Sequence, residues 1–196
     1  MFRRDAPFGA WRSESSSYIK AMPHVFEPAA SGRSKCRGCG RALEKGELRF
    51  GERMENPFAD GAELTLWFHP MCAAYKRPQA MIDALASSAG IAGADELERA
   101  ARASLASNRL QRIDGAELAK GGQATCRHCK EPIAKGTWRI RLVWFEEGRF
   151  NPSGFIHLGC ARAYFETDDD IVDHLLHFSR DLGAEDREAL SRAARG

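Results

Sequence analysis

Six cysteines and two histidines form one pattern that occurs twice in this chain of 196 residues. Each copy is a Cys-x2-Cys pair followed by a His-x2-Cys pair, with 29 intervening residues in the first copy and 27 in the second. The two sets are Cys36, Cys39, His69 and Cys72, and Cys126, Cys129, His157 and Cys160. Three thiolates and one imidazole are a full ligand set for one tetrahedral Zn²⁺. The sequence therefore predicts two Zn²⁺ per chain.

Four protein ligands close the coordination shell of a zinc ion, whereas catalytic zinc sites keep an open position for water. We therefore expect both metals to be structural. The sequence also shows no nucleophile–base pair and no glycine-rich phosphate loop. These observations favour a binding protein over an enzyme.

The cysteines could instead form the disulfide framework of a secreted protein. Against this, the N-terminus Met1–Lys20 is polar and has no apolar signal-sequence core. No stretch is long enough to span a membrane, so no membrane partner is expected. The sequence favours a reducing, intracellular location. That location would be cytoplasmic and nucleoid-associated in a bacterium, as the excess of arginine over lysine weakly indicates, or nuclear in a eukaryote.

The duplicated ligand set predicts an α+β protein made of two small zinc-binding modules. Each module is expected to be a short antiparallel β-sheet plus helices around a Cys3His site, because a unit of roughly 80 residues is marginal without a metal. A helical linker would join the modules. The expected bounds are a flexible segment over 1–28, the first module over 29–92, the linker over 93–118, and the second module with its C-terminal helices over 119–196.

Local patterns predict where the elements lie. A Lys-Gly turn after each Cys-x2-Cys pair precedes alternating apolar residues, which indicates strands beginning near Leu48 and near Trp138. A second strand leads into each histidine, and the His-x2-Cys pair opens a helix. Helical spacing of apolar residues predicts further helices around Met81–Leu85, Leu97–Leu105, Ile171–Phe178 and Ala184–Ala194.

Positive charge is concentrated around the first ligand set, although the net charge is only +2. The range Ser31–Arg41 carries four basic residues and no acid, whereas from Asp168 onward eight acids accompany four arginines. This asymmetry indicates a polyanionic partner.

The segment Ser31–Cys39, together with Leu48-Arg49 and Trp67-Phe68-His69, resembles the poly(ADP-ribose) polymerase (PARP)-type zinc finger, which also occurs in a nick-sensing eukaryotic DNA ligase. The second half is similar, including the run Phe178–Leu190, so the resemblance covers most of residues 29–196. Fingers of this family recognise DNA strand breaks by structure, gripping backbone phosphates and placing apolar side chains on exposed base pairs. The resemblance thus implies two tandem fingers that bind broken DNA.

The resemblance also implies which residues contact DNA. Arg33 is similar to the backbone-gripping arginine, and Arg49 and Arg139 are similar to the strand arginine. Phe58–Leu64 is similar to the stacking loop. The expected DNA contacts are Arg33, Lys35, Arg37, Arg49, Phe58, Leu64, Arg127, Arg139, Arg141 and Phe150. Guanidinium groups suit phosphate, and apolar side chains suit an open base face.

Other interpretations of these residues stay open. Arg33 and Arg49 could be solvated surface charges, and Phe58 and Leu64 could belong to the core. His174 and His177, three positions apart, are expected to be surface or packing residues. In the second module Gln123 stands where the family has arginine, and the loop Glu146–Pro152 carries two acids. That module could bind DNA more weakly or bind a protein.

The expected function is that of a stand-alone, two-finger sensor of DNA nicks, gaps and ends in DNA repair. Because the chain ends soon after the second finger, the catalytic domain that often follows such fingers is not expected. A ligase, nuclease or polymerase acting in trans would process the break. The alternatives are a zinc-braced protein-interaction adaptor and a single-stranded RNA binder.

Overall fold

The computed structural model describes residues 23–59, 62–107, 109–167 and 169–195. Within these ranges it contains two three-stranded antiparallel sheets and six α-helices, which confirms the predicted α+β class. The flexibility expected for residues 1–22 cannot be described, because these residues lie outside the described ranges, as do two residues of the expected stacking loop Phe58–Leu64, Asp60 and Gly61. No helix in the described ranges is long and apolar enough to cross a membrane.

The first module has a sheet of strand order β1-β2-β3 and three helices. Its elements are β1 (Val25–Pro28), β2 (Leu48–Glu55), β3 (Glu63–Phe68), α1 (Pro70–Lys76), α2 (Pro78–Ser87) and α3 (Ala94–Ala106). Alternate residues of a strand point to opposite faces of the sheet. Phe50, Leu66 and Phe68 are fully buried on the inner face. The helices cover that face, since Met81, Leu97 and Ala101 lie in the same core.

The second module repeats the arrangement with the strand order β4-β5-β6. Its elements are β4 (Ile113–Leu118), β5 (Trp138–Glu146), β6 (Arg149–His157), α4 (Ala161–Phe165), α5 (Ile171–Phe178) and α6 (Ala184–Arg195). Ile140, Ile156 and Phe165 are buried in its core. The predicted strands and the four helical stretches are therefore confirmed.

Two of the expected boundaries differ from the structure. Val25–Pro28 pairs with β2 as a strand and is not part of a flexible segment. The range 93–118 is not a separate helical linker, because its helix α3 buries Leu97 and Ala101 in the first core and its last residues form β4. The physical reason is that each sheet needs a third strand, which the residues before each Cys-x2-Cys pair supply.

The two modules pack against each other. The Lys76 Nζ on α1 donates a hydrogen bond to the Ile113 carbonyl oxygen at 2.6 Å. Phe178 of α5 lies in the first core, and Phe150 of β6 packs against Phe68 with ring centroids 6.4 Å apart. Gly115 has φ +93°, and a Cβ there would collide with the Phe178 carbonyl group. Glycine is therefore required where β4 passes α5.

Candidate metal centres and nucleic-acid interface

Each predicted ligand set converges on one point. In both modules the three Sγ atoms and the histidine nitrogen lie within 4.8 Å of one another. Cys36, Cys72 and Cys126 are buried, whereas Cys129 is exposed. Each group could hold one zinc ion, as the spacing predicts.

The fold brings the two halves of each site together in the same way. In the first module the Cys-x2-Cys turn closes when the Gly40 N–H donates to the Cys36 carbonyl at 2.8 Å. His69 directly follows β3 and is the N-cap of α1, so Cys72 lies in the first turn of that helix. In the second module a 3-10 turn, Leu158–Cys160, precedes α4 instead. The prediction that the His-x2-Cys pair opens a helix is confirmed in the first module.

The histidine rings are oriented for metal binding through Nδ1. The Nε2 atom of His69 lies 3.2 Å from the Ala42 carbonyl oxygen, and that of His157 lies 3.1 Å from the Pro132 carbonyl oxygen. A carbonyl oxygen only accepts, so Nε2 carries the proton and Nδ1 has a free lone pair. Nδ1 lies 3.4 Å from Cys39 Sγ in the first site and from Cys129 Sγ in the second. The donor set therefore fits zinc.

The thiol pKa values show why a cation belongs in these sites. Burial alone raises the pKa of Cys126, but N–H groups of the adjacent backbone lower it to about 6. Burial and the neighbouring thiols raise the pKa of Cys160 to about 12. In the first site the pKa of Cys39 is likewise lowered and that of Cys72 raised by hydrogen bonds among the thiols. Crowded thiols ionise together only beside a positive charge, which a bound Zn²⁺ supplies.

A hydrogen bond from the second module reaches the first metal site. The Nε2 atom of His177 lies 3.1 Å from Cys72 Sγ. The guanidinium group of Arg180 lies 2.9 Å from the Nδ1 atom of the same ring. Because arginine only donates, Nδ1 accepts and Nε2–H points at the sulfur. His174 is fully buried and lies 3.0 Å from Ser104 Oγ. His174 is thus a packing residue, one of the roles expected from the sequence, whereas the hydrogen bond from His177 to a metal-ligating sulfur was not predicted.

The two strand arginines occupy equivalent positions, and each already forms an ion pair and stacks on an aromatic ring. Arg49 is 8% exposed, pairs with Glu27 at 2.5 Å, and stacks with its guanidinium carbon 3.6 Å from the Trp67 ring centroid. Arg139 pairs with Glu117 at 2.5 Å and stacks 3.8 Å from the Phe155 ring centroid. These contacts order the outer face of each sheet. A phosphate contact by either arginine stays a prediction.

The other predicted cations differ in accessibility. Arg33, Lys35 and Arg37 are exposed around the first Cys-x2-Cys turn. In the second module Arg127 is exposed and passes over Gly154, whereas Arg141 is half-buried and hydrogen-bonded to Glu117 and to the Asp114 carbonyl group. The structure therefore groups Arg33, Lys35 and Arg37 at the metal-binding end of the first module.

The three predicted apolar DNA contacts are not equivalent either. Phe58 is 66% exposed in the turn between β2 and β3. Leu64 lies on the inner face of β3 and packs against the first core, and Phe150 packs there too. The core alternative that the sequence left open therefore describes Leu64 better than Phe58.

Two features of the interface escape prediction from the sequence. The glutamates that pair with the strand arginines are Glu27 and Glu117, and each lies 22 residues before its arginine. This equal spacing in the two modules is the sequence signal that could have identified both pairs. Trp144 is 56% exposed on β5, with the Arg112 guanidinium carbon 5.5 Å from its ring centroid. Its position in the alternating pattern of β5, on the face opposite Phe145, could have identified it.

The chain is similar in sequence to several known proteins. Residues 27–108 match the family described as "Poly(ADP-ribose) polymerase and DNA-Ligase Zn-finger region". The chain is 29% identical over 143 residues to a Poly [ADP-ribose] polymerase of Sarcophaga peregrina, covering 64% of this chain and 14% of that protein. It is 29% identical over 204 residues to Poly [ADP-ribose] polymerase 1 of Gallus gallus, covering 87% and 19%. It is 26% identical over 183 residues to Polynucleotide 3'-phosphatase ZDP of Arabidopsis thaliana, covering 79% and 26%.

The family match begins in β1 and extends just beyond α3, so it spans the first module as the structure defines it. The chain covers only 14–26% of the length of these three relatives. The resemblance to the PARP-type zinc finger is therefore confirmed over residues 27–108, which form the first module.

Proposed function

We propose that this protein binds DNA at strand interruptions, recognising nicks, gaps and ends by their structure rather than by their base sequence, and that it acts in DNA repair. The observation that carries this proposal is the exposed Phe58 at one end of a sheet whose other end bears the exposed Arg33, Lys35 and Arg37. β3 has six residues and joins these two ends, so they are separated by about 20 Å.

This arrangement suits a broken duplex. The exposed cations can bind backbone phosphates, which carry no sequence information. A phenylalanine against an open base face contributes about 1–3 kcal/mol. Intact duplex offers the phosphates without the open face, so the two ends of the sheet together select interruptions.

The relatives support a nucleic-acid partner through their names, which mention DNA ligase and a polynucleotide phosphatase. We assign no catalytic activity to this chain. It would protect the break inside the cell and present it to a ligase, nuclease or polymerase acting in trans.

The test is a competition binding assay with nicked, gapped, blunt-ended and closed circular DNA. Phe58→Ala should reduce the preference for interrupted DNA by roughly tenfold, because a stacking contact is lost. Arg33→Ala should weaken binding to all four DNAs about equally and lower the slope of log affinity against log salt by about 0.9. Leu118→Ala and Arg102→Ala, both at exposed positions, are the matched controls.

A Phe58→Ala variant that keeps its full preference for nicked DNA would refute the stacking role. Zinc-loaded protein that binds none of the four DNAs would refute the proposed function and favour the protein-interaction adaptor.

A further inference from the structure

A groove of about 660 Å³ lies between the two modules. One wall is the first Cys-x2-Cys turn together with Thr65 and Trp67 of β3. The other wall is the start of β6, the range 149–151. β3 and β6 are both edge strands of their sheets, so the groove runs between two sheet edges.

The walls of this groove are positively charged from both sides. Lys35 and Arg37 come from the first module and Arg149 from the second, and all three are exposed. No carboxylate belongs to the described residues that line it, and the acids Glu146 and Glu147 of the β5–β6 hairpin lie outside it. The three thiolates of the adjacent site exceed the charge of Zn²⁺ by only one. The groove therefore favours an anion.

Between the cations the lining is aromatic and polar. Trp67 and Phe150 are half-buried, and Ser34 and Asn151 offer a hydroxyl and an amide. Cations that track a backbone, combined with aromatic rings, are the usual composition of surfaces that bind a single nucleic-acid strand.

The second wall is held firmly against the first. The turn at Gly148 packs on Leu64 and Leu66 of β3, so closely that a Cβ added at Gly148 would already touch both side chains. Phe150 contacts Phe68, and the Lys76 ammonium group lies 5.1 Å from its ring centroid. The groove is thus formed before any ligand binds, which reduces the ordering cost of binding.

We propose that this groove binds one unpaired DNA strand, such as the strand exposed at a gap or a frayed end. The inference rests on the proposed function and specifies the form of DNA that the module boundary recognises. Cations on both walls with aromatic rings between them favour a strand whose bases are exposed over an intact duplex, whose bases are stacked inside the helix. Leu64, expected to stack on a base, and Phe150, expected to contact DNA, hold the hairpin that forms one wall of this groove.

The experiment measures binding of the full zinc-loaded chain to oligothymidylate, a single strand that cannot pair with itself, and to a continuous duplex. Arg149→Ala and Lys35→Ala should each weaken oligothymidylate binding roughly tenfold and lower its salt slope by about 0.7, and the double variant should lower the slope by about 1.4. Arg149→Ala should leave binding to the duplex unchanged. Arg102→Ala is the matched control, and thermal unfolding of each variant verifies its fold.

The outcomes separate this inference from the proposed function. The groove assignment alone would be overturned if the wild-type protein prefers nicked DNA but binds oligothymidylate no more tightly than Arg149→Ala does. Equal losses of oligothymidylate and duplex binding in Arg149→Ala would overturn the single-strand assignment. Wild-type protein without a preference for interrupted DNA would overturn the proposed function itself.

Discussion

Lys76 is a buried ammonium group whose removal should change how stability depends on pH. Its side chain is 0% exposed, it donates to the Ile113 carbonyl oxygen, and it lies 3.5 Å from Asp114. Burial lowers its pKa from 10.5 to about 8, although Asp114 works in the opposite direction. Because the folded-state pKa lies below the unfolded one, the unfolded chain binds the proton more readily between these values. Stability therefore rises with pH through this window.

The magnitude follows from the two pKa values. Below about pH 8 the buried charge costs the folded state about 3.4 kcal/mol, and this cost falls as the ammonium group loses its proton. Between about pH 7 and pH 9 the wild-type protein should gain about 1.3 kcal/mol of unfolding free energy relative to Lys76→Met, which cannot titrate. Methionine has a similar length, so the comparison isolates the charge.

The assay is urea unfolding of both proteins at saturating zinc across this pH range, read by circular dichroism. Subtracting the two unfolding free energies at each pH removes the titration of all other groups. A difference that does not change with pH would refute the reasoning, because it would mean that the ammonium group is hydrated in the folded protein.

Three further predictions concern the metal sites and the scaffold. Metal analysis should give two zinc equivalents per chain, and one equivalent or none would contradict the Cys3His assignment. A strong chelator should abolish cooperative unfolding, since structural zinc contributes about 10–16 kcal/mol of apparent binding free energy. Arg49→Ala should lower the unfolding free energy by about 2 kcal/mol through loss of its stacking on Trp67, whereas Arg33→Ala should leave the melting temperature unchanged. Gly115→Ala should lower the unfolding free energy by more than about 2 kcal/mol, because Gly115 has a positive φ. Gly121→Ala, at a position with open space around it, should have little effect in the same thermal unfolding assay.

The metal sites and most elements could be predicted from the sequence because their signals are local. Ligand spacing identified both Cys3His groups, and helical periodicity identified α3, α5 and α6. Alternation identified β2 and β5. Each of these patterns depends on residues within one element or on side chains whose chemistry has few other uses.

The contacts between modules could not be predicted, because they join residues that are distant in sequence and chemically ordinary. The bond from Lys76 to Ile113 spans 37 residues, and a lysine on a short helix is normally solvent-exposed. The resemblance placed Leu64 in the stacking loop, because the sequence does not show the hairpin of the second module that packs beside it. The burial of Arg49 likewise depends on Glu27, whose strand has only four residues.

The hydrogen bond from His177 to the Cys72 sulfur couples the packing of the second module to zinc binding at the first site. Partners that orient a ligand typically change metal affinity by about 10–100-fold. An excised first finger would therefore release its zinc more readily than the same finger in the intact protein. Any event that detaches α5, which carries His177, would therefore weaken zinc binding at the first site, although α5 supplies no ligand there.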